Sequence, residues 1–99
     1  MRIPKTILVS GHEWTVEYKW NLRYDNQKCD GLCCHETRTI YLDRSLTKQN
    51  KITTFLHEYI HAVIAELNIK RKSLPMELEE LIVEALSQEL VGAFKLRLL

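Results

Sequence analysis

Residues His57-Glu58-Tyr59-Ile60-His61 form an H-E-x-x-H pattern. Residues four apart on a helix share one face at about 6 Å, so two imidazoles there can reach one metal ion. The Glu beside the first His projects to the flank, where a carboxylate can take a proton from a metal-bound water. Thr53-Thr54-Phe55-Leu56 precedes the pattern and Ala62-Val63-Ile64 follows it, which places it within a helix rather than a loop. Two histidines can share a helix face through packing alone, but the intervening Glu and the apolar helix favour a metal. Zn²⁺ is the expected ion, although the same donors accept other divalent ions.

A catalytic zinc site needs a third protein ligand and an open position. No His, Asp or Cys follows His61, so a downstream ligand must be Glu66, Glu77, Glu79, Glu80, Glu84 or Glu89. That excludes a third His at the H-E-x-x-H-x-x-G-x-x-H position. Glu66 is five residues on and points to another side of the same helix. A second helix packed on the first is the better source, and spacing alone leaves Glu80 and Glu84 both open. Cys29, Cys33, Cys34 and His35 are candidates for a second metal site, but adjacent Cys33 and Cys34 point to opposite faces of a strand.

These residues must be positioned by a chain of 99 residues that is 45% hydrophobic and 27% charged, with 3 Gly and 2 Pro. That composition predicts a single domain over residues 1–99 and excludes disordered or fibrous classes. The apolar runs are far shorter than the ~20 residues of a membrane helix. Ile7-Leu8-Val9 is too short for a signal-peptide core, so a cytoplasmic protein with no membrane contact is expected. Fourteen basic against thirteen acidic residues give +1, which argues against nucleic-acid binding through phosphate neutralisation. Three cysteines, two of them adjacent, suit a reducing compartment.

Thr6 to Ser10 reads as a strand and Gly11-His12 as a turn. Glu13 to Asn21 alternates, with Trp14, Val16, Tyr18 and Trp20 on one face, which marks a strand. Arg23 to Gly31 reads as a loop. Thr37 to Leu42 reads as another strand, pairing with Leu32 to Cys34 through a turn at His35-Glu36. Beyond Asp43 the period becomes helical, with Leu46, Ile52, Leu56, Ile60, Val63 and Leu67 on one stripe, Ser45 or Thr47 as the cap and Asn68 as the stop. Ser73-Leu74-Pro75 starts a second helix. Its stripe Leu78, Leu81, Ile82, Ala85, Leu86 and Leu90 predicts the buried face. The expected fold is α+β: a small antiparallel or mixed sheet followed by two long packed helices that carry the metal site.

Together with the H-E-x-x-H helix, Glu84-Ala85-Leu86-Ser87-Gln88 resembles the second-helix motif of the gluzincin metallopeptidases, often Glu-Ala-x-Ser-Asp. The short chain is also similar to the minigluzincins and to small phage-type metallopeptidase-like proteins of the ImmA/IrrE kind. The resemblance covers roughly Thr53 to Leu90, with a weaker match at Thr37 to Leu42. It implies zinc-dependent peptide hydrolysis, with His57, His61 and Glu84 as zinc ligands and Glu58 as general base and acid. Gln88 stands where many members have an Asp that hydrogen-bonds a ligand His. No downstream His is available to stabilise an oxyanion, leaving His35, Tyr41 and Tyr59 as candidates. A peptide or protein substrate would add to an edge strand, here Thr37 to Leu42. The apolar tail Leu90 to Leu99 either packs as the helix end or docks into a cleft of its own or a neighbouring chain, giving a homodimer or a latent enzyme. The alternative is a non-catalytic metal-binding or regulatory protein that keeps the ligand set.

Overall fold

The order of elements follows from the period changes in the sequence. The computed structural model describes residues 2–67 and 75–94, with Phe94 described by its backbone only. It contains β1 (Thr6–Val9), β2 (His12–Lys19), β3 (Arg23–Tyr24), β4 (Gln27–Lys28), β5 (Gly31–Cys34), β6 (Thr39–Asp43), α1 (Lys48–Glu66) and α2 (Met76–Phe94). The fold is α+β: a mixed four-stranded sheet, a small separate hairpin and then two helices.

The sheet order is β1-β2-β6-β5. β1 and β2 pair antiparallel, β2 and β6 pair parallel, and β5 and β6 pair antiparallel. Thr37 to Leu42, expected at the edge, therefore lies in an inner strand flanked on both sides. The edge strand beside α1 is β5. Being paired on both sides and covered by α1 explains why Ile40 and Leu42 have no exposed surface. Period-two alternation in β2 buries Trp14 and Val16. The strand stops at Lys19, so Trp20 lies beyond it and is 70% exposed rather than in the core.

Within the segment expected to be a loop, β3 and β4 form a two-residue hairpin. Asp25 and Asn26 both have positive φ, 54° and 63°, as its turn requires. The predicted turn between β5 and β6 is present, closed by the Arg38 N–H donating to the His35 carbonyl at 3.2 Å.

Thr47 caps α1, its hydroxyl accepting from the Asn50 N–H at 3.2 Å. Ser45 binds Asp43 instead. Asp43 is buried at the end of β6 and accepts from the Ser45 hydroxyl (2.6 Å), the Ser45 N–H (2.8 Å) and the Leu22 N–H (2.9 Å). Those donors, the Ser45 hydroxyl foremost, hold its carboxyl down to about 2. At the far end of α1, Glu66 accepts from the Trp14 indole N–H at 2.7 Å and from Arg38 Nε at 2.6 Å. The Arg38 bond is the largest influence holding that carboxyl down to about 2. Two buried carboxylates thus tie the two ends of α1 to the sheet.

The core joins Val9, Trp14, Val16, Ile40 and Leu42 of the sheet to Ile52, Phe55, Leu56 and Ala62 of α1. α2 docks on α1, but not by its apolar stripe. Its buried residues are Glu79, Val83 and Ser87, spaced four apart, whereas Leu78, Leu81, Ile82 and Leu86 are 44%, 66%, 37% and 48% exposed. The stripe faces outward because the opposite side of α2 carries the carboxylates that meet the imidazoles of α1. The predicted stop at Asn68, the Ser73-Leu74 start and the tail after Phe94 lie outside the described residues.

Candidate metal centre

α1 presents His57 and His61 on one face one turn apart, with ring centroids 5.0 Å apart. The facing turn of α2 supplies three carboxylates. Glu80 meets the Nε2 atoms of both rings, at 3.6 Å from His57 and 3.0 Å from His61. The Nδ1 atoms point away from Glu80: that of His57 lies 3.2 Å from Glu84, and that of His61 lies 2.6 Å from Glu79. In the tautomer that donates from Nδ1 to these carboxylates, both Nε2 lone pairs converge on the Glu80 side, the arrangement metal ligation uses.

His57, His61 and Glu80 each offer one donor atom, and these atoms lie within 4.8 Å of one another. Two imidazoles and a carboxylate fit a divalent ion such as zinc. Among the described residues no other group of three His, Cys, Asp or Glu converges in this way, so Cys29, Cys33, Cys34 and His35 do not gather as a second site. No disulfide joins the three cysteines. Glu84, expected as the third ligand, lies on the Nδ1 side of His57, four residues after Glu80. The neighbouring place expected for Gln88 is thus taken by Glu84. Glu66 is committed to Trp14 and Arg38 and faces away.

Sequence reasoning weighed Glu79 only as a ligand and missed it as the partner of His61. The available signal was its position four residues before Val83 and eight before Ser87, on the one side of α2 that avoids the apolar stripe.

Glu58 is 8% exposed, and among the described residues no hydrogen bond reaches its carboxylate. Burial, with the Glu80 charge as a second cause, pushes its carboxyl up to about 8. Gly31 of β5 passes against it. A Cβ added there would lie 2.6 Å from Thr54 Cγ2, 2.9 Å from Glu58 Cγ and 3.1 Å from Glu58 Oε2. Only a residue without a side chain lets the strand approach Glu58 this closely.

Two cavities, of about 430 and 420 Å³, share Gly31, His57 and Glu58 in their walls. They form a cleft among β5, α1 and α2, with Glu58 in the wall of both. One reaches toward Asn50 and Thr53 at the start of α1, the other toward Ala65 near its end. No helix among the described residues is long and apolar enough to cross a membrane. No family model, curated protein or solved structure matches the chain.

Proposed function

We propose that the chain is a zinc-dependent metallopeptidase of gluzincin type, with His57, His61 and Glu80 as ligands and Glu58 as general base and acid. The observation that carries this reading is the convergence of two Nε2 atoms and the Glu80 carboxylate beside Glu58, which is 8% exposed and lines the cleft. Glu84 and Glu79 are then the groups that orient His57 and His61, which makes Glu80 rather than Glu84 the third ligand.

Zinc held at this point supplies Lewis-acid polarisation of a carbonyl and lowers the pKa of a water to about 7. The protein's own residues do the rest. Glu58, in the cleft wall, would in its ionised form accept a proton from the attacking water and return it to the departing amine nitrogen. Glu79 and Glu84 keep the two rings in the ligating tautomer and strengthen their basicity. β5 ends the sheet, and an end strand is where an extended peptide laid across the cleft would pair. Gly31 opens that strand, and its missing side chain lets β5 lie close against Glu58.

The test is cleavage of a mixed peptide pool by the zinc-loaded full chain, read as new termini by mass spectrometry. New termini with the native chain, and none with a Glu58→Gln variant holding equal zinc, are the expected result. Zinc binding with no cleavage under any condition would favour the non-catalytic metal-binding alternative.

A further inference from the structure

We infer that the cavity reaching toward the start of α1 receives a cationic side chain, a Lys or Arg of the peptide lying in the cleft. The inference rests on the peptidase reading of that cleft. This cavity, of about 430 Å³, is walled by Asp30, Asn50, Thr53, Glu84, Ser87 and Gln88 alongside the Gly31–Glu58 contact. Almost everything that faces it accepts hydrogen bonds. Asp30 and Glu84 are carboxylates. The Thr53 hydroxyl already donates to the Gln49 carbonyl at 3.3 Å, and the buried Ser87 hydroxyl donates to the Glu84 carbonyl at 3.1 Å. Both hydroxyl oxygens therefore present lone pairs to a newcomer.

Asn50 and Gln88 add amide oxygens beside their N–H donors, and among the described residues no Lys or Arg lines the cavity. Glu58, nine-tenths buried and without a hydrogen-bond partner among the described residues, opens into the same space. A guanidinium or ammonium brings donors and no acceptor, so it satisfies this wall. A carboxylate side chain brings only acceptors and a repelled charge. An apolar side chain would strip the wall of water without replacing its hydrogen bonds. The other cavity differs in kind, because Leu32, Cys33, Ala65 and Met76 give it apolar patches. The two ends of the cleft thus select different residues on either side of the scissile bond.

The experiment uses the zinc-loaded full chain and quenched fluorescent peptides identical except for one residue, Arg, Gln or Glu, scanned to either side of the cut. At one position kcat/KM for Arg exceeds that for Glu by about tenfold or more, equivalent to about 1.4 kcal/mol. The ratio falls as salt is raised from about 0.01 to 0.5 M, because Asp30 is solvent-exposed and its charge is screened. Asp30→Asn lowers the ratio. The backbone carbonyl of Asp30, which accepts from the Asp43 N–H, is untouched by that change.

Equal rates for Arg and Glu at every position, or a ratio unaltered in Asp30→Asn, overturn the inference while leaving the peptidase reading intact. If no peptide is cut, the peptidase reading fails instead. Fluorescence anisotropy of the same labelled peptides on zinc-loaded Glu58→Gln then decides the cavity independently. Tighter binding of the Arg peptide supports the inference, and equal binding of Arg and Glu peptides overturns it.

Discussion

Nδ1 of His61 lies 2.6 Å from a carboxylate oxygen of Glu79, and the two side chains are only 11% and 3% exposed. A buried carboxylate beside an imidazole fixes the ring's orientation and its proton at once. Glu79→Gln keeps the shape but removes the charge that makes the ring a better donor. Its zinc affinity is expected to fall by about 10- to 100-fold, as read by competition with a chromogenic chelator.

Glu80 and Glu84 are separated by one helical turn and meet opposite nitrogens of the same ring. Replacing Glu80 by Ala removes a ligand atom and abolishes stoichiometric zinc. Replacing Glu84 by Ala leaves three ligands and weakens zinc by about 10- to 100-fold. Metal content after dialysis against buffered zinc separates the two. The reverse order would return Glu84 to the ligand set.

Glu58→Gln should hold zinc with native affinity and lose hydrolysis. It should also raise the melting temperature of the metal-free protein at neutral pH. The native carboxyl sits in a buried place that pushes it up to about 8, so the unfolded chain gains by ionising it and the neutral amide removes that gain. Calorimetry of the chelator-treated proteins measures the difference.

Gly31→Ala places a methyl against Glu58 and Thr54 on a strand that provides no ligand. The expected result is a lower kcat with zinc affinity unchanged, because Glu58 must move and the imidazoles need not. Stopped kinetics and chelator competition on one preparation give both values.

Acid should loosen the two ends of α1. The Asp43 and Glu66 carboxyls sit at about 2, below their ordinary 3.8 and 4.5. A depressed carboxyl contributes stability above its unfolded value and loses it as pH falls toward the folded one. Stability should therefore be complete above about pH 5 and decline between pH 4.5 and 2. Trp14, whose indole donates to Glu66 at 2.7 Å, reports the change by fluorescence. In Glu66→Gln the decline should be smaller.

The parts that could be read from the chain were those set by local period and capping. β2 was visible in Trp14 and Val16, α1 in its periodicity and the Thr47 cap, and the paired imidazoles in the four-residue spacing of His57 and His61. The errors arose where distant partners decide. Nothing local marks the parallel pairing of β2 with β6, so the sequence places Thr37 to Leu42 at an edge. The stripe on α2 was taken for the buried side, because burial of apolar residues is the ordinary rule. At this interface the imidazoles of α1 demand carboxylates instead. The same pairing separates the positions of Glu79, Glu80 and Glu84 around the two rings, which spacing alone leaves ambiguous. The Asp25-Asn26 hairpin was legible in principle, since both residues tolerate positive φ.

Among the described residues of α2, Val83 is the one fully buried apolar residue, and the turn from Glu79 to Glu84 meets α1 as carboxylate against imidazole. A metal ion there would be a fastener as well as a reagent, since ligand-dependent stability follows its free concentration. A chain starved of the metal would open along that seam and bare the backbone of α2 to proteolysis. Its cellular lifetime would then track metal supply, and chains unable to react would be the first to be cleared.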